Sequence, residues 1–387
     1  MIYLDFAATT PIHPQVLDVY SQVASRYFGN SSSLHDEGSS AKQIIEASTK
    51  VIAAAINGSS KGLSFTSGAT ESNYLAIQAL LDGRTDDRNE IISSKMEHSS
   101  VINVLERLAT QGYQIQWVDV YEDGRINLDH FEELLTDRTA LVSIQHINSE
   151  LGVIQPIQKI GERLKETRVL FHSDCVQSFG KIPFDVDGWN LDAISISAHK
   201  IYGPKGIGAV WVNPDTEWKP LFDDPDQRKS LRFGTANTAG IAAFAAAVKM
   251  LTSQQDSELS RLSEFRSALI DGLKKTGKEV VIEGSNSNQS PYILGLRFPG
   301  LEGQFLMLEC SQAGLAISTG SACQVGSEKP NRSMKAIGRT DEEARQFVRL
   351  SFGLDVKEIH ISEIIEKIDV ILERHFSKVH RPVESKS

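Results

Sequence analysis

Lys200 stands where an amine could do chemistry. It lies in the stretch Asp192–Val210, between the apolar run Ala193–Ser197 and a second one, Ala209–Val212, with Gly203, Pro204, Gly206 and Gly208 between them. A lysine at a turn between two apolar strands is not freely solvated, and lysine is rarely buried without a partner. Either its charge is paired, or its pKa is lowered and it serves as an amine. Other polar residues end other apolar runs. Leu63–Phe65 is followed by Thr66-Ser67-Gly68-Ala69-Thr70-Glu71-Ser72, a small-residue turn opening a helix. Its backbone N–H groups and hydroxyls can hold a phosphate, or simply cap the helix. Ala140–Gln145 is followed by His146, Asn148, Ser149 and Glu150, and Val169–Phe171 by His172, Ser173, Asp174 and Gln177. Ser197 and His199 accompany Lys200.

Taken singly, each has an ordinary explanation. Asn148 suits a turn, Asp174 a helix cap and His172 a satisfied core position. His172-Ser173-Asp174 hints at a metal pair, but no second cluster of suitable spacing accompanies it. Together, an acid, an amide, hydroxyls, histidines and one lysine stand at the ends of several strands.

The elements that must position them alternate. Strands at Leu63–Phe65, Glu90–Ser93, Gln114–Val120, Ala140–Gln145, Val169–Phe171 and Ala193–Ser197 are separated by helical stretches at Glu71–Leu81, Ser100–Thr110, 129–136 and Ile157–Thr167. Asp129 and Glu132 have the spacing of a capping box. This alternation predicts an α/β fold with a mainly parallel sheet covered on both faces. Ligands of such sheets sit at the carboxyl ends of the strands, where the polar residues fall. After about residue 250 the rhythm changes. A long helix carries Leu259, Leu262, Leu269 and Leu273 on one face. Strands at Lys278–Ile282, Ile293–Phe298 and Val348–Phe352, and helices near 303–313 and at Ile359–Phe376, make a smaller α+β unit. The expected division is a large domain over 14–257, a small one from 1–13 and 258–377, and a loose polar tail over 378–387.

Bulk properties narrow the function classes. The chain has 387 residues, 40% hydrophobic and 23% charged, as in ordinary globular proteins. A net charge of −10 argues against a nucleic-acid partner. No apolar run approaches the ~18 residues that span a bilayer, and MIYLDFAATT has no secretory or transit character. Three cysteines, Cys175, Cys310 and Cys323, with no CxxC pair, argue against a disulfide framework or a zinc ribbon. A reducing, cytoplasmic setting follows, in which an important cysteine is a lone thiol.

An anion cup, a buried acid and a lysine together suit pyridoxal phosphate (PLP), which needs an amine for its aldehyde, an aspartate for its pyridine nitrogen and a cup for its phosphate. Lys200 reads as its Schiff-base lysine. No metal is called for.

With these residues in view, the chain resembles the NifS/IscS-like cysteine desulfurases, a branch of the class-V aminotransferases among fold-type I PLP enzymes. The likeness rests on LDFAATTP at 4–11, FGNSSSLH at 28–35, FTSGATESNYLAI at 65–77, EHSSV at 97–101, HINSELGVIQP at 146–156, HSDCVQSFGK at 172–181, SAHKIYGPKGIGA at 197–209, FGT at 233–235, STGSAC at 318–323 and VRLSFG at 348–353. The resemblance implies that Lys200 holds the cofactor, Asp174 pairs with the pyridine nitrogen, and Gln177 and Asn148 lie near the ring oxygen. It implies that His98 stacks over the ring and handles protons. Ala69, Thr70, Ser197 and His199 would hold the phosphate, joined by Thr235 from the second subunit of a homodimer. Arg349, with Asn148, would bind the carboxylate of L-cysteine, and Cys323, in a mobile small-residue segment, would receive its sulfur as a persulfide. Ser31, Ser149 and Cys175 stand where the family usually has proline, asparagine and alanine. Cys175 reads as a small buried residue.

The resemblance further implies a protein sulfur acceptor or iron–sulfur scaffold. The tail ending VESKS does not resemble the extended C-terminus by which housekeeping members dock a scaffold. The expectation is therefore a dedicated role, cluster supply for NAD biosynthesis, with tRNA or thiamine thiolation as the alternative. An aminotransferase or a selenocysteine lyase on the same fold, and a carrier that keeps the fold without the chemistry, are the rival readings.

Overall fold

The computed structural model describes residues 1–221, 231–320 and 331–379. Cys323 and the residues after Val379 lie outside them. The chain opens with β1 (Ile2–Tyr3), α1 (Pro14–Arg26) and α2 (Asp36–Ala54). The alternating stretch runs β2 (Leu63–Thr66), α3 (Ala69–Gly83), β3 (Glu90–Ser94), α4 (Ser99–Thr110), β4 (Gln114–Val118), α5 (Leu128–Leu134), β5 (Thr139–Ser143), α6 (Ile157–Leu164), β6 (Leu170–Asp174), β7 (Ala193–Ser197) and β8 (Gly208–Val212). Then come α7 (Thr238–Thr252), α8 (Gln255–Lys275), β9 (Val281–Glu283), β10 (Ile293–Arg297), α9 (Gly303–Gln312), β11 (Leu315–Ala316), α10 (Arg332–Ala336), α11 (Asp341–Arg345), β12 (Phe347–Ser351) and α12 (His360–Val379).

Seven strands form one sheet in the order β2-β8-β7-β6-β5-β3-β4. Its pairs are parallel except those of β8, which runs antiparallel to both β7 and β2. Strands β3, β5, β7 and β8 are buried at every residue, which is why they read as near-continuous apolar runs. Alternate side chains feed two cores. Ile91, Leu141, Ala193 and Val210 pack with Leu75 and Leu80 of α3 and Leu105 of α4. Ile92, Val142, Phe171, Ile194 and Trp211 pack on the other side, with Ile160 of α6 and Phe244 of α7. Because β2 and β7 both oppose β8, the carboxyl ends of β2, β3, β5, β6 and β7 open on one edge.

The later strands make a three-stranded antiparallel sheet, β12-β10-β9, and β1 pairs in parallel with β11. The N-terminal segment is laced onto β12: Asp5 bridges Ser351, and the Ser351 N–H donates to the Leu4 carbonyl at 2.7 Å. This lacing carries residues 5–10 across the open edge of the large sheet. One local expectation fails. Asp129 does not cap α5; Asn127 does, accepting from the N–H groups of Asp129 and His130 at 3.1 Å each. An Asn two residues earlier reaches those N–H groups, and Asp129 falls in the first turn, where its charge suits the helix dipole. No described helix is long and apolar enough to cross a membrane.

Candidate active site

At the open edge lies a cavity of about 560 Å³. Its lining includes Ala69 and Thr70 after β2, His98 after β3, Asp174 and Gln177 at β6, His199 and Lys200 after β7, and Arg349 from β12. Residues separated by hundreds of positions therefore meet at the strand ends.

Lys200 closes a short 3₁₀ turn, Ala198–Lys200, at the end of β7. Its Nζ donates to the carbonyls of Ala7 and Ala8 at 2.6 and 2.7 Å. The half-buried amine is thus aimed by the N-terminal segment. Asp174 ends β6 with its Oδ1 accepting from the Val176 N–H at 3.0 Å and its Oδ2 from Asn73 Nδ2 at 2.8 Å. Asn73 also donates to Ser100 Oγ at 2.8 Å. Ser100 Oγ lies 2.8 Å from His98 Nδ1, which also accepts from the Ser100 N–H at 3.2 Å. Since Nδ1 accepts, the neutral ring carries its proton on Nε2. Although its ring opens onto the cavity, the enclosing walls hold His98 below the ordinary imidazole value, against the opposite pull of Asp174. Glu97, beside it, is 3% exposed. Burial pushes its carboxyl well above the usual range, only partly countered by the Gln145 N–H it accepts at 2.8 Å.

The small-residue turn has the form of an anion cup. Gly68 adopts φ +152°, and the N-terminus of α3 has no side-chain cap. A Cβ at Gly208 would stand 2.8 Å from the Gly68 Cα, so only glycine lets β8 approach this turn. Ala69, Thr70 and Glu71, the first residues of α3, line the cavity, and a helix N-terminus favours an anion. Ser197 Oγ is buried with no hydrogen-bond partner. His199 Nδ1 lies 3.1 Å from Thr9 Oγ1. Burial first, then the charges of Lys200, Lys205 and Lys181, lower its pKa to about 4.

Arg349 is 3% exposed. Its Nη2 donates to Asp5 Oδ1 at 2.7 Å and its Nη1 to the Ser149 carbonyl at 2.8 Å, while Nε is buried without a partner. The fork is held from behind, and Nε is left for a carboxylate. Ser149 contributes its backbone, which explains why serine serves where the family usually has asparagine.

Asn148 is 1% exposed and does not line the cavity. Its Nδ2 donates to the Met96 carbonyl and Ser333 Oγ, and its Oδ1 accepts from the N–H groups of Glu150 and Leu151. Ser197 also stands behind the lining, and Thr235 is exposed and apart from it. Cys323 lies outside the described residues, but Gly320, three residues before it, and Arg332 and Ser333 after it, line the cavity. Cys175 is fully buried, and burial pushes its thiol far up, as suits a packing residue. Sequence reasoning missed Asn73, Asp5 and Glu97.

The residues fit PLP: free N–H groups and an orphaned hydroxyl for a phosphate, a carboxylate for a pyridinium, and an aimed amine for an aldehyde. Among the described residues no group of His, Cys, Asp and Glu has the arrangement of a metal site.

The family described as Aminotransferase class-V matches residues 2–364, and the chain belongs to it. Its members are PLP-dependent, and PLP is the cofactor of this enzyme. Within the family it falls in the NifS/IscS-like cysteine desulfurase branch. It is 42% identical over 376 residues to a protein named putative cysteine desulfurase NifS from Bacillus subtilis (strain 168), covering 97% of this chain and 95% of that one. A solved NifS-like protein superposes with a TM-score of 0.89 at 28% identity, covering 96% of this chain and 99% of the other. A structure described as SspA in complex with cysteine gives 0.79 at 32% identity, covering 91% and 99%.

Proposed function

We propose that the chain removes sulfur from L-cysteine, releasing L-alanine and leaving a persulfide on Cys323 for a protein acceptor. One observation carries this: Lys200, Asp174 and Arg349 line a single cavity to which Gly320 also contributes. Three extended residues span at most about 11 Å, so Cys323 is tethered within reach of that cavity. The balance is simple. The substrate's carbon–sulfur bond breaks, a sulfur–sulfur bond forms at Cys323, and a proton replaces sulfur on carbon.

Bound PLP supplies a protonated ring that draws electrons from bonds at the substrate's α-carbon. Lys200 would hold it, Asp174 would keep its pyridine nitrogen protonated, and Ala69, Thr70, Ser197 and His199 would surround its phosphate. Gln177 faces the ring oxygen. Arg349 orients the substrate carboxylate through Nε. The α-proton would go to Lys200 Nζ, freed when the substrate's own amine takes its place on the cofactor, because His98 in its neutral form has a hydrogen, not a lone pair, on Nε2. His98 would lie over the ring and donate from that atom. Asn148 acts through the loop it pins rather than by contact with substrate.

Thr235 is exposed and apart from the cavity of its own chain. This supports a homodimer in which Thr235 completes the partner's phosphate cup. The pairing of β1 with β11 supports a division into 14–257 and 1–13 with 258–377. The buried free thiols of Cys175 and Cys310 suit a reducing, cytoplasmic setting. The acceptor we favour is an iron–sulfur assembly protein serving NAD biosynthesis.

The test is incubation of the purified holoenzyme with L-cysteine, reading alanine and mapping bound sulfur by mass spectrometry. Alanine with a persulfide on Cys323, and a reduced cofactor adduct on Lys200 after borohydride, are expected. A keto acid that retains the sulfur (mercaptopyruvate), without persulfide, would support the aminotransferase instead, and pyruvate with free sulfide an elimination.

A further inference from the structure

Behind the cavity lies a second lysine that no step above uses. Lys181 ends the turn after β6 and is only 6% exposed. Among the described residues no carboxylate pairs with it. Its Nζ donates to Gln177 Oε1 at 3.2 Å and lies 5.5 Å from the centre of the Tyr292 ring. Gln177 Nε2 donates to the Ala7 carbonyl at 2.9 Å, the same carbonyl that receives Lys200 Nζ at 2.6 Å. Lys181 and Lys200 also both line a small void, with Phe6 and Thr10 of the N-terminal segment and Tyr292 and Phe352 of the later part of the chain. One chain of hydrogen bonds therefore runs Lys181, Gln177, Ala7, Lys200.

A carboxamide can sit in either of two orientations, and its neighbours must choose. An ammonium only donates, so it must meet the amide oxygen; a carbonyl only accepts, so it must meet the amide nitrogen. Lys181 and Ala7 demand the same orientation from opposite ends. That leaves the second N–H of Gln177 for the cavity.

We propose that Lys181 is a positioning residue of the cofactor site, its ammonium locking the Gln177 carboxamide with oxygen inward and –NH₂ presented to the ring oxygen of PLP. This rests on the assignment of Lys200 and Gln177 to the cofactor. Burial first, then the charges of Lys200 and Arg349, bring Lys181 down to about 7. The other groups near it are the His199 imidazole, held neutral, and the phenol of Tyr292, which burial pushes up. The lock is thus strongest below neutral pH. Above it, the neutral amine still meets the amide oxygen but as a weaker, uncharged donor, so the carboxamide is held less firmly.

The test titrates apoprotein with PLP at pH 6 and pH 8.5, following visible absorbance. Lys181→Met should weaken binding about three- to tenfold at pH 6 and less at pH 8.5. The wild type should show a fall in affinity near pH 7 that this variant lacks. Lys181→Arg should restore much of the affinity at both pH values. In a Gln177→Leu background the loss should vanish, because the two act as a unit. Lys181→Met should also raise the apoprotein's melting temperature, since a buried unpaired charge is removed. Wild-type affinity and pH profile in Lys181→Met, a loss that persists beside Gln177→Leu, or a pH-independent loss with a lowered melting temperature would each overturn the inference. Wild-type protein with no borohydride-fixed adduct on Lys200 would overturn both this and the cofactor assignment; an adduct there with an indifferent Lys181→Met overturns this alone.

Discussion

Asn73 Nδ2 donates to Asp174 Oδ2 and to Ser100 Oγ, each at 2.8 Å. One amide on α3 therefore joins the acid of the site to its imidazole. Ser100 Oγ, having accepted from Asn73, turns its own hydrogen to His98 Nδ1 2.8 Å away. The relay fixes the carboxylate plane of Asp174 and the tautomer of His98 together.

Asn73→Leu, which keeps the volume, should disrupt both. A hydrogen bond to a charged group contributes about 1.5–3 kcal/mol, so turnover should drop about tenfold or more. The distinguishing readout is the His98 tautomer by ¹⁵N NMR, which should become mixed as Ser100 loses its anchor. A single Nε2–H tautomer and unchanged alanine production would show that the relay is idle.

Acid should weaken the fold before it protonates most carboxylates. His146 and His172 are fully buried, and burial lowers both to about 3. Near pH 7 they are neutral in folded and unfolded chains alike. As pH falls through about 6.5, the unfolded histidine gains a proton that the folded one refuses until about 3, so stability falls by about 1.4 kcal/mol per pH unit for each. Glu97, raised by burial, tilts stability the other way, so the useful quantity is a difference. His146 packs edge-on against Phe184 and Trp189, with Nδ1 unpartnered. His146→Phe should lose much less stability than wild type between pH 6.5 and 5, measured by urea unfolding of the apoprotein. Parallel pH profiles for the two proteins would refute this.

How legible was all this in the chain? The strands were, because β3, β5 and β7 are buried on both faces and so carry apolar or small residues at almost every position. Lys200 and Asp174 were, because charge beside such runs needs a reason; Arg349 was reached only through the family resemblance. The partners were not. Asp5 and Arg349 are 344 positions apart, and no local pattern pairs them. Lys200 is aimed by the carbonyls of Ala7 and Ala8, and a carbonyl has no letter in the sequence. Asn73 left a trace: it shares a helix face with Ala76, Ile77 and Leu80, all buried, and an amide on an apolar stripe requires a partner. The capping of α5 was misread because Asn127 and Asp129 are both good caps, and only the backbone path decides between them.

Asp5 should matter to substrate rather than to cofactor. Its carboxylate accepts from Arg349 Nη2 at 2.7 Å, on the side of the site assigned to the substrate carboxylate. Asp5→Ala should let the guanidinium tilt, so that Nε no longer meets the substrate carboxylate squarely. KM for L-cysteine should rise about tenfold, the scale of one charge-assisted hydrogen bond, with kcat and cofactor absorbance less affected. A large fall in kcat at unchanged KM would move Asp5 from substrate orientation to the chemical step.

Cys323→Ser should divide the reaction into its two halves. Binding of cofactor and substrate depends on Lys200, Asp174, Arg349 and the turn at Gly68, all of which this variant keeps. It should therefore retain the visible cofactor band and change it when cysteine is added. Sulfur transfer needs a thiolate, and a serine hydroxyl is too weakly acidic to supply an equivalent nucleophile. Alanine release should fall to near background. The other two thiols are controls, because neither can stand in. Cys175 is fully buried with its thiol pushed far up, and Cys310 is raised to about 12 by burial and then by Glu309. At neutral pH both are almost wholly protonated, and only the thiolate attacks. Cys175→Ala and Cys310→Ala should desulfurate at near wild-type rates. Alanine release and mass mapping of the added sulfur decide the matter. Wild-type release by Cys323→Ser, or a persulfide found on Cys175, would mean that the nucleophile is not the residue tethered three positions beyond Gly320, and that the cavity works by elimination or transamination.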